Sequence, residues 1–111
     1  MTRLPMSTAA SGLLRALVGR AGVERDRILL SGIRSVEWQS LTFAGERHLI
    51  ELRIAGPWSA MVAERLCSGL ADAKFSIPAI LVADIAIVGE PVSNADGSTG
   101  ITIEALTIAA D

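Results

Sequence analysis

At 111 residues the chain has the length of one domain with one core. Its ten basic and twelve acidic residues are dispersed and aromatics make up only 4%, so the basic stripe and stacking platform of a nucleic-acid binder are missing. No stretch approaches the ~20 apolar residues of a bilayer-spanning helix, and the lone Cys67 excludes an internal disulfide and a thiolate metal cluster.

The single cysteine points to a reducing, cytoplasmic setting. Half of the residues are hydrophobic and mean hydropathy is +0.47, which implies a second buried surface, that is, an interface between copies of the chain.

In chain order, residues 1–6 read as a loose tail. Ser7 is placed to cap a first helix, in which Ala10, Leu13, Leu14, Leu17, Val18 and Ala21 keep the spacing of one buried face. Gly22 is placed to end that helix in a left-handed turn. Residues 24–27 form a charged connector, and Ile28 to Ile33 are apolar, leading into the first strand or forming an arm. Ser35 to Phe43 and Arg47 to Ala55 then alternate as two strands of a hairpin. Gly45 is expected to supply a positive-φ residue in the loop between them. That register sets Val36 opposite Ile54 and Trp38 opposite Leu52 on the core face, and Glu37 opposite Arg53 on the other.

Residues Pro57 to Phe75 read as a second helix, with Trp58, Val62, Leu66, Leu70 and Ala73 on one stripe. Gly56 and Pro57 suit its start, and Pro78 ends any continuation. Ala79 to Val88 and Gly100 to Ala109 form a second hairpin, which sets Asp84 opposite Glu104. The intervening GEPVSNADGST is expected to be an exposed, mobile loop.

The order αββαββ predicts an α+β two-layer sandwich, with two helices on one face of a four-stranded sheet. It resembles a ferredoxin-like plait circularly permuted by moving its first strand to the end. In that arrangement the Arg47 and Gly100 strands are expected to be central and mutually parallel. Permuted plaits of this kind occur among phage-tail assembly proteins, a resemblance at the level of fold that implies rings or tubes.

The helices leave one sheet face open. It is expected to carry Arg47, Leu49, Glu51 and Arg53 from one central strand, and Thr102, Glu104, Leu106 and Ile108 from the other. Leu41, Phe43, Ile80 and Val82 are placed on the flanking strands. Such a face is too apolar to be solvated and too charged for a core. Association between copies accounts for both properties, with aliphatics buried and arginines paired with acids. The leading expectation is therefore a non-enzymatic homo-oligomeric assembly or binding domain.

Catalytic and cofactor motifs are lacking. Asp84 interrupts the apolar run IPAILVADIAIV and, beside Glu104, is expected either to join a structural ion cluster or to share a proton. His48 is the only histidine, no nucleophile stands at a recognisable spacing from it, and one histidine with scattered acids makes no metal site. The glycines form no phosphate-cradling loop. The alternative function is a small-molecule binder or minor enzyme, with an unidentified ligand held near Trp38, His48 and Trp58 or near the two acids.

Overall fold

The computed structural model describes residues 6–110; the tail expected over residues 1–6 lies outside them apart from Met6, which is exposed. Helix α1 spans Thr8–Ala21 and has both expected ends. The Ser7 hydroxyl accepts the Ala10 N–H at 3.1 Å, and Gly22 adopts the left-handed conformation at φ 70°. Its Leu13, Leu17 and Ala21 are fully buried.

Helix α2 spans only Ser59–Cys67, shorter than the expected 57–75. Trp58 precedes it at φ 63° and is exposed, so it does not join the buried stripe. Gly69, at φ 68°, breaks the helix, and a single 3₁₀ turn, Leu70–Asp72, follows. Val62, Leu66 and Leu70 of the expected stripe are buried, as is Ala63, whereas Ala73 follows the 3₁₀ turn and is only partly buried. Arg20 of α1 donates Nε–H to the Leu66 carbonyl at 2.9 Å and Nη2–H to the Ser68 carbonyl, satisfying carbonyls at the end of α2 that have no partner within the helix.

Five strands, β1 (Ile28–Gln39), β2 (Ala44–Ile54), β3 (Ile80–Ile87), β4 (Val92–Ser93) and β5 (Thr99–Ala109), make one antiparallel sheet. The order is β1-β2-β5-β3, with the short β4 also paired to β5. The two central strands are those expected, but they run antiparallel rather than parallel. The reason lies in the connections. The chain crosses from β2 through α2 to β3, two strands that are parallel but not adjacent. The turn back from β3 then delivers β5 antiparallel to both.

The first hairpin is in a different register from the expected one. Ile28 pairs with Ile54, and the turn falls at Ser40–Phe43 rather than 44–46. The Ser40 hydroxyl closes that turn by accepting the Phe43 N–H at 3.0 Å. The shift brings Ile28, Leu30 and Ile33 against the helices and turns Val36 and Trp38 to the opposite face. A bulge at Ser31 permits it, since one extra residue reverses the alternation of all that follows. Gly45 lies within β2, not in the turn. A Cβ there would sit 1.9 Å from the Thr107 carbonyl oxygen, so the close approach of two backbones, not a positive φ, requires glycine.

A second bulge, at Ala83, has the same effect on β3. Val82 packs against the core instead of the open face, and Ile80 stands opposite Ala109 on the helix side. Both therefore leave the set expected on the open face. The helices and the inner sheet face share one apolar cluster, centred on Leu13, Leu17, Ile50, Leu52, Ile54, Leu66 and Ile103.

Candidate functional site

The strand registers lay the uncovered face out as rows across β1, β2, β5 and β3. The row nearest the hairpin turn reads Trp38, Gly45, Ile108, Leu81. The next reads Val36, Arg47, Leu106, Asp84, and the third Arg34, Leu49, Glu104, Ala86. Arg34 and Arg47 thus belong to the β1–β2 half, Asp84 and Glu104 to the β5–β3 half, and Val36, Leu49 and Leu106 share their rows. A shallow depression of about 250 Å³ is lined by these charged and aliphatic residues. Val36 and Leu81 are more than half exposed, at 55% and 58%, although chains usually bury such side chains.

Among the described residues one ion pair forms, between Arg53 and Asp96. Arg34, Arg47, Asp84 and Glu104 therefore have no ion-pair partner among them. Asp84 stands opposite Leu106 rather than Glu104, whose neighbour on β3 is Ala86. Both carboxylates are exposed, so Asp84 is not the buried acid that its apolar flanks suggest. Glu37 does not face Arg53 either; it faces Glu46 on the helix side.

Of the expected interface set, Arg47, Leu49, Glu51, Arg53, Asp84, Glu104, Leu106 and Ile108 share the open face. Leu41 and Phe43 lie at the hairpin turn, exposed at 105% and 54%. Arg34, Val36, Trp38 and Leu81 join the face unforeseen. Their signal was the alternation on either side of each bulge, readable only once the bulges are placed.

His48, Trp38 and Trp58 do not come together. His48 points into the core between two hydroxyls. Its Nδ1 is 2.7 Å from Ser35 Oγ and its Nε2 2.8 Å from Thr107 Oγ1, linking three strands. Burial lowers its pKa below 6.5, against an opposing pull from the Glu46 carboxylate. Both ring nitrogens are engaged, so neither is left to hold a ligand. Trp38 lies on the other sheet face, and Trp58 follows the far end of β2. Cys67 is half-buried, and burial raises its pKa despite the nearby Arg20 guanidinium, which disfavours the reactive thiolate. Among the described residues no group of three or more histidines, cysteines or acids could hold a metal ion. None of their helices is long and apolar enough to cross a membrane.

The 89–99 segment, expected to be a mobile loop, carries β4 and a dense hydrogen-bond cluster. Asp96 Oδ1 accepts the Ser98 N–H at 3.0 Å, Arg53 Nε–H donates to Ser98 Oγ at 2.9 Å, and Ser59 Oγ–H donates to the Gly97 carbonyl at 2.6 Å. Arg53 on the open face thereby ties the loop to the sheet, and Ser59 ties it to the start of α2.

Comparison with protein-family models finds no match for this chain, and comparisons with curated proteins and with solved structures find none either.

Proposed function

We propose that the chain is a non-enzymatic assembly domain, a circularly permuted ferredoxin-like plait that associates with further copies of itself through the open face of its sheet. The observation that carries this reading is the segregation of charge in the two middle rows of that face, beyond which Glu51 is one acid on the arginine side. Arg34 and Arg47 stand on one half, Asp84 and Glu104 on the other, with aliphatic residues in the same rows and no ion pair joining the two halves. A second copy turned about an axis parallel to the strands brings the arginine half of each against the carboxylate half of the other. The pattern is thus self-complementary, as a two-fold contact requires.

The available area supports the same reading. Strands of twelve, eleven, eleven and eight residues give a face on the order of 700 Å² from standard strand spacing and rise, close to the ~800 Å² per partner of a stable interface. Val36, Leu49 and Leu106 supply its apolar centre, and the arginines and acids its polar complement. A cytoplasmic homo-oligomer without a cofactor is the corresponding biological form.

Charge reversal tests the proposal. R34E/R47E and D84R/E104R chains are each expected to lose association, because the facing halves then carry charge of one sign. An equimolar mixture of the two is expected to recover it, because opposite charges meet again. Variants that each keep the wild-type mass by light scattering would refute the proposal.

A further inference from the structure

The β1–β2 hairpin continues beyond the helical layer. On the helix side His48 and, one row further, Thr107 beside Glu46 are the last buried residues, and on the hairpin itself the residues from Val36 to Ala44 are exposed apart from Trp38, which is partly covered. At the tip Leu41 is wholly exposed and Phe43 more than half exposed, so two large apolar side chains stand side by side in water at the end of the hairpin. Just behind the tip Glu37 and Glu46 face each other across the strands. Like charges in that position repel, and neither has an ion-pair partner among the described residues.

At the other end of β1 lies a groove of about 680 Å³ between α1 and the sheet. Leu14, Val18 and Leu30 line its apolar floor, with Arg15 and Arg25 at its rim beside one acid, Asp26. Neither arginine forms an ion pair among the described residues. The tip thus offers two apolar side chains and two unpaired acids, and the groove an apolar floor and two unpaired arginines. From Leu30 in the groove to Gln39 at the end of β1 the strand spans about 30 Å at the usual rise per residue, so a tip cannot enter the groove of its own chain.

We infer that the hairpin tip of one copy docks in the α1–β1 groove of the next, with Leu41 and Phe43 on the Leu14–Val18 floor and Glu37 and Glu46 toward Arg15 and Arg25. Because tip and groove are different surfaces, the contact is head-to-tail. It repeats from copy to copy and yields a ring where the rotation closes and a filament where it does not. It uses none of the four charged residues on which the open-face proposal rests, so either can fail alone.

Disulfide trapping between two chains tests it. Chains carrying C67S with L41C, and chains carrying C67S with V18C, are mixed under mild oxidation. The expected product is the mixed L41C–V18C dimer, formed in preference to either homodimer. Its yield is expected to fall at least several-fold when E37K/E46K is added to the L41C chain, and to recover when R15E/R25E is added to the V18C chain as well. The bridge is also expected to persist when both chains carry D84R/E104R. A predominant L41C–L41C dimer would mean that tip meets tip and would overturn the inference. So would the absence of any mixed bridge in chains whose circular dichroism shows them folded.

Discussion

The two faces of the sheet are written on the same strands and differ in almost every respect. Along β2, His48, Ile50, Leu52 and Ile54 point to the helices and are buried, whereas Arg47, Leu49, Glu51 and Arg53 point away. The covered face holds one apolar cluster and satisfies its polar exceptions internally, as His48 does with Ser35 and Thr107. The open face leaves Arg34, Arg47, Asp84 and Glu104 without ion-pair partners among the described residues, and aliphatics in water. Folding stability belongs to the first face. If the second face is kept for a copy of the chain, as we propose, mutations on the two should differ in kind.

The largest difference is expected from truncating side chains. Ile50→Ala or Leu66→Ala removes a fully buried group and should cost about 2–5 kcal/mol in urea unfolding. Leu49→Ala or Leu106→Ala should cost under about 1 kcal/mol at concentrations where the chain is dilute, yet reduce association in sedimentation. Open-face truncations as destabilising as core ones would erase the distinction. Gly45→Ala should cost about 1–3 kcal/mol, because the new methyl meets the Thr107 carbonyl rather than a side chain that can swing aside.

A pH effect sharpens the contrast further. His48 has a lowered pKa in the fold, so below about pH 6.5 the unfolded chain takes up the proton first and gains relative stability. The contribution of His48 is thus fully present above that pH and is lost as the pH falls toward the lower folded value. Urea midpoints of the wild type are expected to fall between pH 7.5 and 5 more steeply than those of His48→Gln; equal slopes would contradict the burial of a neutral imidazole. The smallest effect is a gain. Ala79 is exposed at φ 63°, following Pro78 in a turn closed by the Ile80 N–H to the Ile77 carbonyl. Ala79→Gly should therefore raise stability by a few tenths to about 1 kcal/mol.

What could be read in the chain beforehand follows the same division. Helix α1 was legible at both ends because its signals are local: a hydroxyl cap, an unbroken apolar period and a terminal glycine. The faces of β2 and β5 were legible because their alternation is uninterrupted. β1 and β3 were not, because the bulges at Ser31 and Ala83 reverse the alternation partway and nothing in ILLSGIRS or ILVADIAIV marks the extra residue. Aliphatics are available in both registers, and the choice between them is made by which set fits beneath the helices. The open face was therefore recovered in its central strands and, Asp84 apart, missed at its edges. The sense of the central pair was missed because the crossover joins β2 to β3, not to β5.

The most direct test of the open-face proposal is the mass of the wild-type chain by sedimentation equilibrium at micromolar concentration, set beside that of R34E/R47E. A multiple of 11.6 kDa is expected for the first and a smaller particle for the second. A wild-type mass of 11.6 kDa, unchanged by concentration, would contradict association through this face.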